Sequence, residues 1–177
     1  MRLILAISLV FLAACQTWHD SSENSPFYPI PAGSRLILKQ PLSIPADQVS
    51  VYIQRGQIVP YNGRDTYYAN CKFELNTLKP VAQTVDPDEF TVSEVTQYIQ
   101  LNQFYEPGQR YAQLGGKGDI SSKLYAWMIY LQSSRQPDVL RMTCGRWDYP
   151  GAARQLTIQE IRDTLGNLFT LQLSAGG

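Results

Sequence analysis

From Ser34 onward, apolar residues recur at every second position, and that alternation confines most of the chain to β-strands. In RLILKQ, Leu36 and Leu38 flank Ile37 before Pro41 ends the run. VSVYIQRGQIV sets Val49, Val51 and Ile53 on one face, with Gly56 marking a bulge or turn. YYANCKFEL does the same with Cys71, Phe73 and Leu75. Between these runs, Asn62-Gly63 in YNGRD is a hairpin signal. Pro80 and Asp86-Pro87-Asp88 turn the chain before FTVSEVTQYIQLNQF, a long strand or a bent pair. The glycine-rich LGGKGDISS then leads to KLYAWMIYLQSS, which is apolar on both faces; its aromatics and short length favour a central strand over a buried helix. Gln136-Pro137-Asp138 turns the chain once more, into VLRMTCGRW.

One stretch departs from period two. In LTIQEIRDTLGNLF, Thr157 and Glu160 form a capping box, in which each satisfies a backbone N–H of the other. Ile158, Ile161 and Leu165 share a helical face, and Gly166 suits the position just past a helix end. The spacing predicts a two-turn helix from about Ile158 to Leu165, followed by a short last strand in NLFTLQL. A chain of 177 residues is normally one domain. The expected fold is therefore mainly β, an antiparallel β-sandwich or partly closed barrel with one short helix in the C-terminal region, spanning residues 34–175.

The N-terminus follows other rules. A single cation, Arg2, precedes an apolar run from Leu3 to Ala14. That run falls short of the roughly 20 residues a membrane span needs, and it has the length of a secretory signal with small residues at its end. Leu12-Ala13-Ala14-Cys15 resembles the lipobox of bacterial lipoproteins. The resemblance covers Met1 to Gln16 and implies cleavage of residues 1–14 and acylation of Cys15. By the same resemblance to Gram-negative lipoproteins, an aspartate after the cysteine would favour the inner membrane. Gln16 stands there instead, so the outer membrane is expected, with the domain facing the periplasm and the cell surface as the alternative. Acyl chains anchor stably, at about 0.8 kcal/mol per buried CH₂. Residues 15–33, polar and proline-rich, read as a lipidated N-terminus and flexible tether.

Export puts Cys71 and Cys144 in an oxidising compartment, where such a pair forms a disulfide. If both lie inside strands, it joins two core strands, across the two layers of a sandwich in one arrangement. Two isolated cysteines and a single histidine make no zinc site, and neither metal nor cofactor is expected.

The same histidine, His19, lies in the tether, which leaves the domain without His-dependent catalysis. Asp86, Asp88 and Glu89 read as a solvated turn rather than a glycosidase pair or calcium site. Gly115-Gly116-Lys117-Gly118 lacks the spacing of a phosphate loop. Cleavage would remove Arg2 from the 15 basic residues, so 14 face 15 acidic ones, and the basic residues are scattered singly. Nucleic-acid binding is not expected.

Aromatics carry the remaining signal: 11 tyrosines and three tryptophans, clustered at Tyr67-Tyr68, around Tyr125-Trp127-Tyr130, and at Trp147 and Tyr149. Most suit half-buried strand faces. Tyr67, Tyr68, Trp147 and Tyr149 are the candidates for an exposed binding patch. The expectation is a non-catalytic envelope module that assembles with a protein partner; the alternative is a module that binds glycan, peptidoglycan or a small ligand through those aromatics. Contiguous exposed aromatics on one edge favour the first, and a concave pocket with convergent polar groups favours the second.

Overall fold

A computed structural model describes residues 22–103 and 120–174, and the chain is mainly β, as its alternation requires. Among these residues the strands are β1 (Arg35–Leu38), β2 (Leu42–Ile44), β3 (Ser50–Gln54), β4 (Gln57–Val59), β5 (Asn70–Leu75), β6 (Gln83–Val85), β7 (Asp88–Gln103), β8 (Ile120–Gln132), β9 (Val139–Asp148) and β10 (Phe169–Gln172). The helix α1 spans Ile158–Leu165. Eight strands form one antiparallel sheet in the order β10-β1-β7-β8-β9-β5-β3-β4, and β2 pairs with β6 alone.

The sheet curls into a half-barrel, the second of the two expected architectures. Phe73 on β5 and Phe169 on β10 are far apart in strand order, yet their ring centroids lie 5.5 Å apart. Phe90 on β7 lies 6.1 Å from Phe73, so the inner face converges on one aromatic cluster. The alternating positions named above supply this interior: Leu36, Leu38, Ile53, Phe73 and Met142 are fully buried. Helix α1 contacts β10, β5 and β3, closing the open side of the barrel with Ile158, Ile161 and Leu165.

The capping box forms as expected, with Glu160 N–H donating to Thr157 Oγ1 at 3.2 Å and Thr157 N–H to Glu160 Oε2 at 2.8 Å. Gly166 ends the helix at φ 55°, where a Cβ would stand 2.5 Å from Gly56 Cα. Only glycine allows both that backbone and that approach.

Three details differ from expectation. Asn62-Gly63 makes no hairpin. The reversal from β3 to β4 falls on Arg55-Gly56, whose φ values of 53° and 73° suit a two-residue hairpin loop. Asn62 and Gly63 lie in a 3₁₀ turn, Tyr61–Gly63, directly after Pro60, whose missing N–H ends the strand before a second ladder can start. The Cys71–Cys144 disulfide joins core strands but not layers: the two residues are register partners on adjacent β5 and β9, with Cα atoms 4.1 Å apart.

The third difference concerns the segment read as tether, of which residues 22–33 are described. Ile30 is 3% exposed, Ile158 N–H donates to Glu23 O at 3.3 Å, and the Glu23 carboxylate meets Arg162 at 2.6 Å. Ile30 stands alone between Pro29 and Pro31, so no periodicity announced its burial. Residues 1–14, read as a signal, together with Cys15, His19 and the glycines of LGGKGDISS through Gly118, lie outside the described residues. The antiparallel pairing of β7 with β8, on either side of that glycine-rich stretch of sequence, is as expected.

Candidate functional site

Alternation that buries one side chain turns the next one outward, so the residues between the core positions of β5, β8 and β9 form the outer face of the sheet. Register sets them in rows. Tyr52, Lys72, Thr143 and Met128 lie side by side across β3, β5, β9 and β8. Asn70, Gly145, Ala126 and Tyr98 form the next row, and Trp147 pairs with Leu124 beyond it. These rows and the loop carrying Arg64 and Thr66 enclose a cavity of about 340 Å³.

The floor is low for a steric reason. A Cβ on Gly145 would lie 2.5 Å from Tyr125 O and 2.6 Å from Ala126 Cβ, so glycine is required there. With Ala126 beside it, the centre carries almost no side chain, while Tyr52, Tyr98 and Trp147 stand around it. The wall loop is tied down. Gln54 Nε2 donates to Asp65 O at 2.8 Å and Gln54 Oε1 accepts from Asp65 N–H at 3.1 Å. Trp147 N–H donates to Thr66 O at 2.9 Å. On the inner side of the same floor, the disulfide cross-links β5 to β9.

The electrostatics centre on Glu74, whose side chain is only 8% exposed. Its Oε1 accepts from Lys72 Nζ at 2.7 Å, and its Oε2 from Arg141 Nε at 2.8 Å and from Thr143 Oγ1 at 3.3 Å. Burial pushes this carboxyl up, but the hydrogen bonds from Arg141 and Lys72 outweigh it and hold the group below its ordinary range. Arg141 is tuned the opposite way, its pKa raised by the bond to Glu74 against its own burial. Glu74 is thus a fixed anion, a poor proton donor and a poor base.

Arg64 is different. Its guanidinium carbon lies 4.0 Å from the Tyr52 ring centroid and 4.7 Å from that of Tyr61, and its Nε is buried with no acceptor.

Of the four aromatics proposed from sequence, Trp147 lines the cavity. Tyr67 and Tyr68 follow Thr66 on the wall loop but face solvent at 57% and 55% exposure, and Tyr149 projects beyond β9 at 72%. The residues missed from sequence are Tyr52, Arg64, Lys72, Glu74, Tyr98 and Arg141. A signal was present in KLYAWMIYLQ, where apolar residues on both faces imply that the outer face is also covered. The Asp86-Asp88 turn is not merely solvated. The Asp88 side chain is 6% exposed and accepts from Ser133 Oγ at 2.6 Å, Gln136 Nε2 at 3.1 Å and Arg135 at 3.2 Å. It latches the start of β7 to the turn after β8.

Comparison with known proteins finds no match: no family model, no curated protein and no solved structure aligns significantly with this chain.

Proposed function

We propose that this is a lipid-anchored cell-envelope protein, held at the periplasmic side of the outer membrane through Cys15, whose domain is a non-catalytic binding module. The outer-face cavity is its ligand site. The observation that carries this reading is the bare Gly145-Ala126 floor ringed by Tyr52, Tyr98 and Trp147, a shape that receives a flat ligand. Its volume lies at the small end of the range for small-molecule sites, about 300–1,000 Å³. The cavity's carboxylate, Glu74, is neutralised by two cations, which supports binding over acid–base chemistry. The ligand class that fits is a glycan, a peptidoglycan fragment or another small molecule.

Exposed Tyr67, Tyr68 and Tyr149 favour a second reading, assembly with an envelope protein partner on the surface beside the cavity.

The test of the first reading uses the full chain in neutral detergent and a panel of oligosaccharides, including chitotriose, a muropeptide and trigalacturonate. Tryptophan fluorescence and isothermal calorimetry are expected to show saturable binding by at least one, lost in Trp147→Ala. Silence across the panel, or binding that survives the substitution, defeats it.

A further inference from the structure

We infer that the ligand is a short saccharide bearing an anionic group, a carboxylate or phosphate, which Arg64 and Lys72 receive. This inference rests on the cavity being the ligand site.

Charge is the first line of argument. Three cations, Arg64, Lys72 and Arg141, line the cavity against one carboxylate, Glu74. Both Glu74 oxygens are already engaged, one by Lys72 and one by Arg141. Lys72 spends one hydrogen bond on Glu74, and an ammonium carries three donors. Arg64 makes no hydrogen bond and no ion pair with any described residue, and its buried Nε lacks an acceptor. Only the Nε of this guanidinium is buried, so its Nη groups remain open to an incoming acceptor. The rings of Tyr52 and Tyr61 hold the guanidinium in place without occupying its N–H groups. A fixed planar fork matches a carboxylate or phosphate in a way that a mobile lysine does not.

The rest of the cavity selects a saccharide. Trp147 and Tyr98 offer flat apolar faces with polar edges, while the Asn70 amide oxygen and the Thr66 hydroxyl, neither with a partner among the described residues, can pair with ring hydroxyls. An extended peptide would dock by adding to a sheet edge, but β5 lies between β3 and β9, and β9 between β8 and β5. The floor strands thus have neighbours on both sides and no free edge for a peptide backbone.

Two matched ligand pairs test this with the full chain in neutral detergent at low salt. They are trigalacturonate against its methyl ester, and glucose 6-phosphate against glucose. The expected result is that the charged member of at least one pair binds about tenfold or more tightly, as one charge-assisted contact would give. Arg64→Gln is expected to cut that preference several-fold, leaving only what Lys72 supplies, while circular dichroism shows an unchanged fold; an undiminished preference overturns the role of Arg64. The carboxylate and phosphate pairs tell the two anions apart. Equal binding of charged and neutral members overturns the anion inference but leaves the cavity as a saccharide site. Failure of every saccharide in both this and the wider panel removes the cavity reading itself. Triglutamate is titrated alongside, and tighter binding of it than of trigalacturonate overturns the saccharide and favours an acidic peptide.

Discussion

Glu160 shows how one residue can serve two structures. Its carboxylate caps α1 through Thr157 N–H and also receives Arg154 Nη1 at 2.7 Å and Arg146 Nη1 at 3.0 Å. Burial pushes its pKa up, but the hydrogen bonds from Arg154 and Thr157 N–H and the charges of Arg154 and Arg146 bring it to about 2. A carboxyl whose folded pKa is depressed stabilises the fold above the ordinary carboxylate range and loses that contribution as pH falls through the folded value. Glu160→Gln is therefore expected to cost on the order of 2 kcal/mol at neutral pH. The gap between variant and parent should close as the pH falls from about 4.5 towards 2. Urea denaturation followed by circular dichroism across that range measures it, and a gap that stays constant with pH would contradict the assignment. Glu74 and Asp88 also have lowered pKa values, so the difference between the two proteins, not the parent's slope alone, isolates Glu160.

At the scale of elements, β5 and β9 are the pair on which the rest depends. Their inner faces contribute Phe73 and Met142 to the core, their outer faces Lys72, Glu74, Arg141 and Gly145 to the cavity, and the disulfide ties them together. The bonded cysteines are 73 positions apart in sequence, a loop whose closure in the unfolded chain is worth about 4 kcal/mol in the chain-entropy model. The double variant Cys71→Ala/Cys144→Ala should unfold at a clearly lower denaturant concentration than the oxidised parent, and coincident transitions would refute a stabilising role. These same strands mark what was legible beforehand. Cys71, Phe73 and Leu75 announced a core face by their spacing, and Thr157, Glu160 and Gly166 announced both ends of α1, because local rules govern those choices. The cavity was not legible, since it depends on register. Nothing local says that Glu74 faces Arg141, or that Gly145 lies beside Ala126. Trp147 alone was singled out beforehand and then found lining it. Arg64 was read only as part of a turn, and its role comes from Tyr52 and Tyr61 folding around it.

At the scale of the whole molecule, the described chain begins beside α1, a few residues after the proposed anchor. Cys15→Ser is expected to move the protein from the membrane fraction to the soluble fraction and to abolish labelling by a fatty-acid analogue. Unchanged fractionation with labelling retained would sink the lipoprotein reading. The contacts of Glu23 with Ile158 N–H and Arg162 then acquire a geometric meaning. Only eight residue steps separate Cys15 from Glu23 in the chain. Fully extended, they reach at most roughly 28 Å. An acylated Cys15 would be a short leash fastened at the helix, confining the domain to a thin layer above the bilayer and keeping the first turn of α1 on the side nearer the lipid. Whatever the cavity binds would have to come near the membrane, within the leash's reach plus the width of the domain.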